Sequence, residues 1–177
     1  MEVQYGSLVD RLRTNHAQAR SAEKSLTLPV PGFEGISLWV KYTPIDWDEL
    51  AGMLASADAK TPAEGLEQNL EALGDACDRI LVCENGEKRS LADALREQGE
   101  EVHGEVKFDQ YLVDVLDLKI KDATGEVRAP ESRDETVLAL FAGAVSPELA
   151  VTEHAVRIAA WMQGRNAEAN EETLGKN

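Results

Sequence analysis

The chain has 177 residues, 43% of them hydrophobic, with 33 acidic against 18 basic side chains and a formal net charge of −15. That length and apolar content suffice for a buried core. A charge of that sign repels phosphate backbones and anionic bilayers, which argues against nucleic acid or a membrane surface as a direct partner. A solvated acidic surface is the plainest reading of the charge, with a basic protein partner or mimicry of DNA as the others.

The first stretch, MEVQYGSLVDRLR, lacks the basic-then-apolar order of a secretion signal, and no run approaches the roughly 20 apolar residues of a membrane span. Ser7 with Asp10 resembles a capping box, and Val9, Leu12, His16 and Ala19 follow at helical spacing, which predicts a helix from about Leu8 to Ala22. Two alternating runs come next, Leu26–Val30 and Ile36–Tyr42, joined by Pro31-Gly32-Phe33-Glu34-Gly35. They read as a β-hairpin, with Ile36, Leu38, Val40 and Tyr42 on one face and Ser37, Trp39 and Lys41 on the other. Asp46 caps a short second helix, with Glu49 in the reciprocal position and Trp47, Leu50, Met53 and Leu54 as its buried stripe.

Thr61-Pro62-Ala63-Glu64 is the best helix start in the chain, with an N-cap hydroxyl, proline in the first turn and glutamate at the third position. Leu66, Leu70, Leu73, Cys77 and Ile80 then recur at steps of four and three, a narrow stripe that lies on a core. Ile80–Cys83 and Lys88–Leu91 flank Asn85-Gly86, a strong hairpin signal with a polar second arm. Ser90 caps a helix through Arg96 or Glu97. Gly99–Gly104 is an acidic, mobile loop, and Phe108, Tyr111, Leu112, Val115 and Leu116 give another helical face. The charged, Gly- and Pro-containing stretch 119–130 reads as a loop, and Asp134–Ala142 as a helix with Val137, Leu138, Leu140 and Phe141 inward and Gly143 closing it. Ser146-Pro147 opens the last helix. From Leu149 to Met162 that helix is apolar nearly all round, with Thr152, Glu153, His154 and Arg157 as a narrow polar stripe, so it is central to the core or shared with a partner. The expected fold is α+β and mostly helical, with one or two β-hairpins packed against a helical bundle. Residues 1–164 form a single globular domain, and 165–177 a disordered polar tail.

Catalytic constellations do not survive inspection. The three histidines are isolated, without the paired spacing of a metal site, and for His154 a surface or cap role is the expectation. Cys77 and Cys83, one expected in a helix and the other in a strand, match no zinc or redox spacing and read as buried free thiols. Carboxylate pairs such as Asp46/Asp48 are explained by capping, and the glycines at 32 and 35 precede a strand, not the helix a phosphate loop needs. No enzyme, cofactor or metal is expected. Binding surfaces remain: Trp39, on the polar face of its strand, and Val151, Ile158, Trp161 and Met162 on the last helix are the candidate partner-binding residues, with core packing as the default for each.

Three segments, LPVPGFEGISLWVKYTPIDWDEL, NLEALGDACDRILVCENGEKRSL and RDETVLALFAGAVSPELAVTEHAVRIAAWM, cover 76 of the 177 residues. In that order they resemble the tail assembly chaperones of long-tailed phages that infect actinobacteria. The resemblance implies a non-catalytic protein, many copies of which coat the tape measure protein in the host cytoplasm. There they hold its apolar stripe in solution until tail tube subunits replace them. It implies contact with that client, exchange with the major tail tube protein, self-association through the last helix, and absence from the mature virion. Such chaperones also occur as a longer frameshifted product, and the terminal Gly175-Lys176 is compatible with a slippery G-run followed by an A-run. The segment 99–104 and the surroundings of Gly125 match no role in that family. Two other classes stay open on the residues alone: an acidic inhibitor or DNA mimic seated in a basic groove, and a structural connector retained in the virion.

Overall fold

The computed structural model describes residues 25–41 and 61–174, with side chains through Arg165. The helices expected at 8–22 and 47–54 lie outside the described residues. The alternation read from the sequence is present as strand β1 (Ser25–Pro29) paired antiparallel with β2 (Ile36–Lys41). After helix α1 (Pro62–Ala76) the chain adds β3 (Cys77–Glu84) and β4 (Glu87–Ser90), and the two hairpins join into one antiparallel sheet of order β1-β2-β3-β4. Leu28, Leu38 and Ile80 stand in one row across it and are at most 1% exposed. Each such side chain is worth about 2 kcal/mol when buried, and a one-residue slip would turn the whole row into water, so burial fixes the register.

Thr61 caps α1 by accepting from the Glu64 amide at 3.2 Å. The helix stops at Ala76, short of the stripe that ran on to Ile80. The reason is a β-bulge: Trp39 pairs with Arg79 but Val40 with Cys77, which leaves Asp78 as an extra residue on β3. The bulge turns Cys77 and Ile80, three positions apart, onto one face, so a strand imitates helical spacing. Both cysteines therefore lie in β3, and only Cys77 is buried; Cys83 is exposed. Asn85 and Gly86 both take positive φ (53° and 82°), the geometry of a two-residue type I′ turn, and β4 is the polar edge expected.

Ser90 ends β4 and caps α2 (Leu91–Glu97), while α3 (Gln110–Leu116) is capped by Asp109. The stretch read as a loop at 119–130 contains a minimal hairpin, β5 (Ile120–Lys121) with β6 (Val127–Arg128). The Asp122 carboxylate folds it by accepting from the amides of Thr124 (2.8 Å) and Glu126 (3.0 Å). Helix α4 (Arg133–Leu140) starts on the Ser132 hydroxyl and buries Val137, Leu140 and Phe141, with Leu138 half-buried. Helix α5 (Pro147–Leu174) packs with α4 against α1 and continues through ten residues of the stretch expected to be a disordered tail. Low hydrophobicity there argues against burial and not against helix, since Ala and Glu are good helix formers. The described residues thus form an α+β fold of five helices, a four-stranded sheet and a two-stranded one.

Sheet and helices meet at the turns. A Cβ on Gly32, at φ +77°, would sit 2.1 Å from the carbonyl carbon of Gly143, so the β1–β2 turn rests directly on the α4–α5 turn. His154 closes the same junction. It is 5% exposed, not the surface or cap residue expected; its Nε2–H donates to the Pro29 carbonyl at 2.9 Å. Its ring stands edge-on to Phe141, with centroids 5.1 Å apart. Nδ1 is buried without a partner.

Candidate functional site

The α5 sequence alternates apolar positions so densely that several faces qualify as the inner one. Packing against α1 and α4 selects Val151, Ala155, Ile158 and Met162, at steps of four, three and four, and these are at most 8% exposed. Val151, Ile158 and Met162 are therefore core residues and not partner anchors in this conformation: each is enclosed by the chain itself. Trp161 is half-buried and packs against the core. Trp39 projects from the sheet face opposite the Leu28–Leu38–Ile80 row and is also half-buried. The Arg79 guanidinium, directly across the ladder, stacks over its ring at 4.3 Å, which satisfies the indole face within the chain. The structure does not bring Trp39 and the α5 residues together into one site.

What it exposes instead is the far side of α5 and the turn before it. Val145 is fully exposed, Leu149 57% and Val156 54%. Leu149 and Val156 are seven residues apart and share a face. Beside them the first turns of α1 and α5 bound an open groove of about 570 Å³. Its apolar wall is Pro62, Ala63 and Leu66 from α1 and Leu149 from α5. Its polar positions are satisfied internally, since Asn69 donates to the Thr152 hydroxyl at 3.2 Å and that hydroxyl donates to the Glu148 carbonyl at 2.9 Å. Gly65, Ser146 and Glu148 complete the lining. The stretches that line the groove, 62–69 and 146–152, contain three glutamates and no lysine or arginine. Sequence reasoning missed it because Leu149 and Val156 look like every other apolar position of α5 until a packing partner chooses the inner face.

The ionisable groups with displaced pKa values serve the fold. Glu135 accepts from both terminal nitrogens of Arg128 (2.9 and 2.7 Å) and from the Glu131 amide (2.8 Å), which holds its carboxyl down to about 2. Burial pushes the Cys77 thiol up to about 12. Each is committed to its partners, and neither faces the groove. Among the described residues, no cluster of three or more His, Cys, Asp or Glu side chains is placed to hold a metal ion, and no helix is long and apolar enough to cross a membrane. Compared with known proteins, the chain matches no family model, no curated protein and no solved structure.

Proposed function

We propose that the protein is a phage tail assembly chaperone that binds the tape measure protein and keeps it in solution while the tail tube assembles, without catalysis. The observation that carries this reading is an apolar surface, Val145, Leu149 and Val156 beside the α1–α5 groove, on a chain of net charge −15. Apolar patches on a strongly charged body suit transient contact with another polypeptide, while the charge keeps the unladen protein dispersed. The three segments that resemble such chaperones supply the client's identity. Residues with displaced pKa values engaged in structural contacts fit a holding role better than a reactive one.

In this reading the protein works in the host cytoplasm, self-associates along the client, yields to the major tail tube protein and is left out of the virion. The fold in this reading is mostly helical, with the hairpins packed against a helical bundle. Co-expression is the test. The tape measure protein moves from the pellet to the soluble fraction when the full chain is present, and an unchanged pellet refutes the role. Mass spectrometry of purified particles separates a chaperone from a structural connector, because a connector remains in the virion.

A further inference from the structure

We infer that the α1–α5 groove is a docking site for a cationic amphipathic helix, whose apolar side chains lie on Leu66 and Leu149 and whose lysines or arginines face the acidic rim. The partner class rests on the holding role proposed above; the site and its chemistry come from the fold. The volume of about 570 Å³ falls within the range of about 300–1,000 Å³ typical of small ligand sites. Its α1 wall runs from Pro62 to Asn69, a rise of about 10 Å, which matches the distance from i to i+7 on a partner helix. Asn69 and Thr152 bond to each other, so they ask nothing of the occupant beyond apolar contact.

Charge decides which amphipathic helix fits. The groove lies at two helix N-termini, each equivalent to about +0.5 charge, which taken alone would favour an anionic partner. Glu148 lines the groove, exposed Glu64, Glu67 and Glu153 are each next in sequence to a lining residue, and exposed Arg157 stands one helical turn beyond Glu153. Four carboxylates against Arg157 and two half-charges leave a field of about −2. Among the described residues, the arginines that reach carboxylates of the stretches 61–78 and 134–156 include Arg79 to Asp78, Arg128 to Glu135 and Arg133 to Asp75, each from outside those stretches. An anionic or neutral apolar segment would forgo this complementarity, whereas a basic one gains association rate as well as specificity.

The test uses the full chain and a fluorescein-labelled 14-residue Leu/Lys amphipathic peptide, with its Leu/Glu counterpart as control, read by anisotropy and by amide shifts. The Leu/Lys peptide binds, the Leu/Glu peptide does not, and shifts cluster at Leu66, Asn69, Leu149 and Thr152. Leu149→Ser weakens binding about tenfold and Glu148→Lys about as much, whereas Val127→Ser, at an exposed valine outside the groove, changes it less than about twofold. Equal binding of both peptides, shifts elsewhere on the surface, or a folded Leu149→Ser protein of unchanged affinity overturns the assignment. Co-expression with the tape measure protein separates this inference from the proposed role. Rescue by wild type and by Leu149→Ser alike overturns the groove and leaves the role standing. Groove-specific peptide binding without rescue supports the groove and refutes the role.

Discussion

Replacing Gly32 by alanine tests the junction on which the fold turns. The new Cβ would lie 2.1 Å from the Gly143 carbonyl carbon and 2.2 Å from its oxygen, and these are backbone atoms with no rotamer by which to retreat. Overpacking of this kind costs about 1–3 kcal/mol. The φ of +77° adds about 1–2 kcal/mol for a residue with a Cβ. Against these, alanine restricts the unfolded chain and returns about 0.4–1 kcal/mol. The net loss is about 3 kcal/mol, a large share of the 5–15 kcal/mol typical of a domain, and lowers Tm by roughly 6–12 °C at this size. Gly125→Ala is the control: its φ is +85°, but nothing lies within 4 Å of the added methyl, so only the backbone strain of about 1 kcal/mol is expected. Urea titrations of both variants, followed by circular dichroism, give the comparison. If Gly32→Ala costs no more than Gly125→Ala, the β1–β2 and α4–α5 turns do not touch as described.

His154→Phe keeps a ring against Phe141 but removes the donor to the Pro29 carbonyl. It also removes the unpartnered Nδ1, so its net cost is at most about 1 kcal/mol and less than that of His154→Ala. A phenylalanine variant as unstable in urea as the alanine one would contradict the packing of this ring on Phe141. A thiol reagent such as Ellman's modifies one cysteine in the native protein, exposed Cys83, and a second only after denaturation, because burial keeps Cys77 as the unreactive thiol. Two fast-reacting native thiols would refute that packing. Glu135 has its folded pKa depressed to about 2 from an ordinary 4.5, so its contribution is present above 4.5 and is lost as pH falls toward 2. The pair is solvent-screened, so Glu135→Gln is modestly less stable than wild type at pH 7, and the difference shrinks as pH falls toward 2. A difference that persists at low pH removes the Arg128 pairing as its cause.

What could be read in advance was local chemistry. Thr61, Ser90 and Ser146 cap helices through bonds three residues or fewer along the chain, and Asn85-Gly86 closes its turn with two left-handed residues; none of these needs a distant partner. The β1–β2 alternation was legible for the same reason. The Asp78 bulge was not, because pairing with β2 creates it, and it made Cys77 and Ile80 resemble the end of a helix. His154 looked like a surface residue beside Glu153 until the Pro29 carbonyl, 125 positions away, gave its nitrogen a partner. The groove was the least legible feature. Its walls are joined by the Asn69–Thr152 pair, 83 positions apart, and the candidate anchors Val151, Ile158 and Met162, for which core packing is the default, are the ones that α5 turns inward.

The central claim is that this acidic chain holds another polypeptide by transient apolar contact and performs no reaction on it. Light scattering, recorded as urea-denatured tape measure protein is diluted into buffer with the full chain and no nucleotide, tests it most directly. The account predicts that scattering is suppressed in proportion to the amount of chain added and that suppression weakens with Leu149→Ser. Scattering that rises as it does in buffer alone would contradict it.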